Sequence, residues 1–314
     1  MPDTREDQSP EHQAFVAWAR QHALSLSMPR HDEDFDDMGF LGNVVAGKRV
    51  VAFGETAHYM HEWNRWRARL FRYLVENHGF DTFVLESGLV EGRHVHDYVA
   101  GKDVDWETVV TSITNAWGVW AELNELIRWM RDYNANPNRE RELHFYCMDG
   151  TGNWSHATRA YEAVLDYAQR VDKGLASDLK GDLESGVKTA TFETRSQVEN
   201  DTWRELIASA SLVVSRIEQA RIDYVAASSQ DDYEWALRSA QILRDVFVNL
   251  AQVEIDFSLG FKHFWNVRDV SMAHSVEWIL NRVGPQGRLV VAAHNTHLQQ
   301  TPVRIQRATS MGSY

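Results

Sequence analysis

The sequence predicts an α/β fold: a mostly parallel central sheet flanked by helices, with an inserted all-helical lobe. Three observations carry that expectation. Four short apolar runs, RVVAFG (49–54), TFVLE (82–86), LHFYCMD (143–149) and RLVVAAH (288–294), have the length and composition of buried strands. Long stretches of helical period separate them, the spacing that parallel neighbours require. Between Trp154 and Gly260, by contrast, helix-favouring apolar repeats continue without a strand signal.

The expected organisation is a single α/β hydrolase-like catalytic domain over residues 1–314, with the helical lobe at about 154–262. That length buries a core well past marginal size. A net charge of −13, with no Lys/Arg-rich run, argues against nucleic acid or an anionic membrane as partner. A small-molecule substrate remains. No apolar run approaches the ~18 residues of a membrane span. The N-terminal MPDTREDQSPEH lacks the apolar core of a secretory signal, so a cytoplasmic location is expected. The one cysteine, Cys147, excludes a disulfide framework and a CxxC metal site, and its strand context reads as a core thiol. The 12 tryptophans fit core packing first and an aromatic-lined pocket second. Nothing in the chain decides the oligomeric state.

Along the chain, Ser9-Pro10-Glu11 reads as an N-cap followed by proline at the first helical position. The helix so started carries Phe15, Trp18, Ala19 and His22 on one face. HDEDFDD (31–37) reads as a solvated acidic connection. After the first strand, Trp63, Trp66, Leu70, Phe71 and Leu74 form one stripe at about 100° per residue. Arg65, Arg69 and Arg72 project to the opposite, solvent face. Arg67 sits near the middle of the stripe, where an unpaired charge is costly, so pairing with Glu55 or Glu86, or a contact to substrate, is expected. In the lobe, YEWALRSAQILRDVFVNLAQVEIDF (233–257) reads as one of two or three long helices, and GLASDLKGDLESG (174–186) as a turn or linker.

The strand endings point to a site. Open parallel sheets bind ligands at the carboxyl ends of their strands, and there stand Glu55, Glu86, Asp149 and His294. Asp149 before Gly150 is explained by a turn; two glutamates and a histidine are not. His294 and His297 add a His-x-x-His pair with two open readings. The pair can ligate zinc together with Glu55, His58 or Glu86, or it can do acid–base or oxyanion work without a metal. No Gly-x-Ser-x-Gly elbow exists to supply a serine nucleophile.

The GETAH step after the first strand, the LE of the second, WNVRDVSMAHSVEWIL and the final AHNTH together resemble the erythromycin esterase family, from roughly Asp34 onward. The resemblance implies an α/β core with a helical lobe and hydrolysis of an ester, in the best-known members the lactone of a macrolide. It places Glu55 and His58 in the family's signature step, Arg67 at its helix arginine, Glu86 at its second-strand glutamate, and His294 and His297 at its final pair. Arg268 and Asp269 match a further recurrent segment and are expected in support. Two departures stand out: Tyr59 replaces a usually small residue and would narrow the pocket, and SMGSY closes the chain where relatives continue, as in a short form or a truncation.

The expected chemistry is attack of water on an ester carbonyl, with no cofactor. His58 is the general base, oriented by Glu55 or Glu86, and Arg67 with His294 or His297 stabilises the oxyanion. A zinc-dependent hydrolase using the same side chains is the alternative. A non-catalytic small-ligand-binding protein is the third possibility.

Overall fold

The computed structural model describes residues 9–24, 35–114, 117–150, 157–252, 257–301 and 310–313. Helices α1 (Pro10–His22) and α2 (Leu41–Val45) precede strand β1 (Val50–Glu55). Helix α3 (His61–His78) leads to β2 (Thr82–Gly88). Helices α4 (Arg93–Val99), α5 (Trp106–Thr111) and α6 (Ala121–Ala135) lead on to β3 (His144–Asp149). The lobe comprises α7 (Thr158–Val171), α8 (Lys173–Asp182), α9 (Glu184–Thr189), α10 (Asn200–Gln219), α11 (Arg221–Ala227) and α12 (Gln230–Gln252). Helix α13 (Phe257–Val283) returns the chain to β4 (Leu289–His294), which α14 (Asn295–Leu298) follows. Among the described residues no helix is long and apolar enough to cross a membrane.

All four strands join one parallel sheet in the order β1-β4-β2-β3, each within one or two residues of its expected run. Alternation divides their side chains between two cores. Phe83, Leu85, Phe145, Cys147, Val290 and Ala292 pack with α3 and α6. Val84, Tyr146, Met148, Val291 and Ala293 pack with the lobe and α13. Because both faces are covered, β2, β3 and β4 read as unbroken apolar runs. Register then fixes the site: Glu55 pairs with His294 at the ends of β1 and β4, and Leu85 with Ala292, one step short of Glu86.

Helix α3 departs from expectation on one side. Arg67 is buried in the apolar stripe as its position required. Arg69 is buried as well, with Nη2 2.5 Å from Asp37 Oδ1 and its guanidinium over Trp66 and Phe35. Arg65 and Arg72 are half-buried, Arg72 over Trp129. The reason lies in the segment before β1. Phe35 packs on Tyr73, and Met38 and Val45 are buried against the same core, so α3 has a second covered side. The HDEDFDD stretch is therefore not wholly a solvated connection, although its residues 31–34 lie outside the described residues.

Two further expectations are corrected. Residues 174–186 form α8 and α9 rather than a linker. Asp172 caps α8 by accepting from the Gly174 and Leu175 N–H groups, and Leu175, Leu179, Leu183 and Val187 are buried at helical spacing. The lobe thus holds six helices among the described residues, with only α10 and α12 long. Helix α1 is capped by Ser9 as expected, yet none of its residues is buried.

Arg69→Met should therefore lower stability by about 3–5 kcal/mol, as removal of one partner of a buried ion pair does. The exposed Glu76→Gln, on the same helix, should change it by less than about 0.5 kcal/mol. Urea denaturation compares the two; an Arg69→Met protein as stable as Glu76→Gln would mean that the Asp37 segment does not seal the helix.

Candidate active site

The β1–α3 turn builds the first half of the site. Gly54 leaves room for the side chain of Asn295, the first residue of α14: a Cβ at 54 would come within 2.0 Å of Asn295 Oδ1 and displace it. That close approach brings the turn after β4 against the turn after β1. Glu55, 1% exposed, follows at the strand's end. Its Oε1 accepts from His58 Nδ1 at 2.7 Å and its Oε2 from Arg67 Nη2 at 2.5 Å. With Nδ1 donating, a neutral His58 carries its lone pair on Nε2, and its side chain is 36% exposed. The ring stands edge-on to Trp117, with centroids 5.3 Å apart, and 5.1 Å from the ring of His294.

Arg67 lies beneath this pair, its guanidinium 5.0 Å from the Trp117 ring centroid. Burial pulls its pKa below the ordinary value, while the charges of Glu55 and Glu86 oppose that shift. Trp117 is brought over the site by the loop after α5. Thr114 accepts from the Gly88 N–H through Oγ1 and donates its own N–H to Ser87 Oγ, each at 2.9 Å. Trp117 Nε1 then donates to the Glu86 carbonyl at 3.1 Å. Gly118 makes the next step possible, since a Cβ there would strike the Val110 carbonyl oxygen.

The second half is a charge cluster across β2, β3, β4 and α13. Arg268 donates from Nη2 to Glu86 Oε1 and to Asp149 Oδ2, each at 2.8 Å. Glu86 Oε2 accepts from the backbone N–H of His294 at 2.8 Å, which ties β2 to the end of β4. His297 Nδ1 lies 2.7 Å from Asp269 Oδ1, and Asp269 Oδ2 accepts from the Met311 N–H. His297 Nε2 lies 3.0 Å from Arg268 Nη1 and 3.3 Å from Glu86 Oε1. Burial opposes a charge on His297, but the bonds to Asp269 and Glu86 outweigh it and raise its pKa to about 9 despite Arg268. Burial also pushes the Asp269 carboxyl up, against the pull of His297. Glu86 moves the other way. Burial would raise it, yet His297, Arg268 and the His294 N–H hold it far below the usual carboxylate range.

All six residues singled out by sequence thus gather at the carboxyl edge of the sheet, but at two depths. His58 and His294 are half-buried and reach solvent. Glu55, Glu86, Arg67 and His297 lie buried beneath them. Arg67 pairs with Glu55, as expected, whereas the cation bonded to Glu86 is Arg268. Asp149, which a turn would have explained, is a member of the charge cluster. Trp117 carries no such signal in the sequence; it opens a single 3₁₀ turn, Trp117–Val119, whose local pattern does not announce a contact across the fold.

Both ring nitrogens of His297 face protein partners. In His294, Nδ1 accepts from the Thr296 N–H at 3.2 Å and Nε2 donates to the Thr56 carbonyl at 3.2 Å. Zinc ligation by this pair would require those bonds to break. Among the described residues, no group of three His, Cys, Asp or Glu side chains is arranged to hold a metal ion. Cys147 is a buried core thiol, its pKa raised by burial to about 12.

The erythromycin esterase family model matches residues 75–314. The chain belongs to the erythromycin esterase family. The matched segment holds Glu86, Asp149, Arg268, Asp269, His294 and His297, while Glu55, His58 and Arg67 precede it. Among curated relatives, the chain is 25% identical to erythromycin esterase type II of Escherichia coli over 92% of its own length and 70% of that protein's. It is 25% identical to the type I enzyme of the same species, spanning 86% of this chain and 66% of that one. To the putative hydrolase YbfO of Bacillus subtilis (strain 168) it is 24% identical, over 90% and 63%. The chain therefore spans about two thirds of the relatives it matches. A solved Bacillus cereus protein superposes with a TM-score of 0.80 at 21% identity, covering 96% of this chain and 70% of that one. A mutant of the erythromycin esterase EreC in its open conformation gives 0.70 at 20% identity, covering 89% and 69%. These likenesses establish the same fold.

The raised pKa of His297 has a consequence for stability. A group whose folded pKa (about 9) exceeds its ordinary 6.5 stabilises the fold fully below about pH 6.5 and loses that contribution as pH rises through about 9. A rise of that size corresponds to about 3 kcal/mol. Urea unfolding from pH 6 to 9.5 should show this loss in the wild type, and His297→Gln should remove it. Parallel stability curves for the two proteins would show that His297 is not charged in the fold.

Proposed function

We propose that this chain hydrolyses a carboxylic ester, with His58 as the base that activates water. The observation that carries the proposal is the Glu55–His58 bond of 2.7 Å between a fully buried carboxylate and a partly exposed imidazole. A general base needs a fixed ring, a defined tautomer and an open lone pair. Glu55 supplies the first two, and Arg67 holds Glu55 in turn. The exposed side of His58 supplies the third.

In this reading, water held at His58 Nε2 loses its proton to the ring as its oxygen bonds to the ester carbonyl carbon. The tetrahedral oxyanion forms beside His294, the second imidazole at the cleft surface, whose Nε2–H is turned from the Thr56 carbonyl toward the new charge. His58 then returns the proton to the leaving alkoxide. Arg67 and His297 act from below, one orienting Glu55 and the other fixing the charge cluster against which His294 is anchored. No step needs a metal. The names of the relatives make a macrolide lactone the first substrate to try.

Hydrolysis of erythromycin and of a panel of simple esters tests the reading. His58→Ala and Glu55→Gln should each lower kcat/KM by about 10²- to 10⁴-fold, and a chelator should leave the wild-type rate unchanged. Loss of activity on chelation, restored by zinc, would favour the metal-dependent alternative. Binding of the panel without turnover would favour a ligand-binding protein.

A further inference from the structure

Beside His58 stands a group of aromatic rings that the hydrolytic step does not use. Tyr59 stacks on Trp120, with ring centroids 6.1 Å apart and planes at 15°, and lies 5.9 Å from Trp117. Tyr59 is 52% exposed, and its sequence neighbour Met60 is exposed, as is Val119, the sequence neighbour of Trp120, at 79%. Exposed apolar side chains gathered beside a candidate active site mark a binding surface.

The backbone supplies an independent observation. Tyr59 has φ of 67°, and among the described residues no other non-glycine residue has a positive φ. L side chains rarely adopt this conformation, whereas glycine adopts it freely. Stability alone would favour glycine at 59. A large aromatic ring held there, stacked on a second ring and half exposed beside His58, fits the strain found at ligand-binding positions. The placement relative to the base is close: the His58 ring lies 5.8 Å from Tyr59 and 5.3 Å from Trp117. A carbonyl within reach of His58 therefore sets its neighbouring substituent against these rings.

We infer that Tyr59 and Trp120, beside Trp117, form a subsite for a flat, apolar ring carried next to the scissile ester, so that esters bearing such a ring are preferred to short-chain ones. The inference rests on His58-driven ester hydrolysis and adds the class of substituent the site selects.

The test compares kcat/KM for 2-naphthyl acetate and ethyl acetate in the wild type, Tyr59→Ala, Tyr59→Gly, Tyr59→Phe and His58→Ala. The naphthyl-to-ethyl ratio should fall about tenfold in Tyr59→Ala and Tyr59→Gly, chiefly through KM, as stacking is lost. Tyr59→Phe, which keeps the ring, should keep the ratio. Tyr59→Gly should melt no lower than the wild type, which separates loss of the subsite from loss of the fold. An unchanged ratio in both ring-deleted variants would overturn the subsite while leaving ester hydrolysis intact. If the wild type hydrolysed neither ester faster than His58→Ala, the hydrolytic reading itself would fail. The subsite would then be judged by quenching of tryptophan fluorescence with 2-naphthyl methyl ether, an unreactive probe. Tenfold weaker binding to Tyr59→Ala would support it, and equal binding would overturn it.

Discussion

A carboxylate removed from water and shared between a guanidinium and an imidazole is the constraint on which this structure turns. Glu55 ends the edge strand in a place where an ionised group survives only if its charge is met. Arg67 meets it, and this explains why α3 carries an arginine in the centre of its apolar stripe. Burying Arg67 in turn requires a cover, which Trp117 provides with its ring face. With one carboxylate oxygen committed to Arg67, the other is directed at His58, so the orientation of the imidazole follows from the solution of a burial problem.

The same logic runs through the other strand ends. Glu86 and Asp149 are brought together by parallel pairing of β2 and β3, and two buried carboxylates side by side require a cation between them. Arg268 reaches in from α13 to supply it. The second oxygen of Glu86 accepts the His294 N–H, so the position of the surface histidine depends on the buried cluster. The two halves meet where Gly54 lets Asn295 approach the β1 backbone. Two imidazoles thus stand at the surface above buried carboxylates balanced by arginines: Glu55 bonds the His58 ring itself, and Glu86 holds the backbone of His294.

Much of this was legible in the chain. The strands were visible because both sheet faces are covered, which turns alternation into continuous Val, Phe and Ala runs. Arg67 was visible because a charge in mid-stripe contradicts the helix's own period. The rest failed for identifiable reasons. A helical wheel assumes one buried face, and α3 has two, so the wheel turns Arg69 to solvent although its partner Asp37 lies 32 residues upstream. Glycine and serine in 174–186 concealed the buried Leu175–Leu179–Leu183–Val187 series. The bond between Arg268 and Asp149 joins residues 119 positions apart, and that between Trp117 and Glu86 joins residues 31 apart, so neither leaves a local pattern.

The central claim is that buried Glu55 fixes the tautomer of His58, and nitrogen-15 NMR of the imidazole rings reads that directly. At a pH where His58 is neutral, its proton should reside on Nδ1, with a downfield, slowly exchanging resonance that disappears in Glu55→Ala. The Nε2 nitrogen should show the shift of an unprotonated acceptor. A neutral His58 protonated on Nε2, or one whose tautomers are mixed equally with and without the Glu55 carboxylate, would contradict the account.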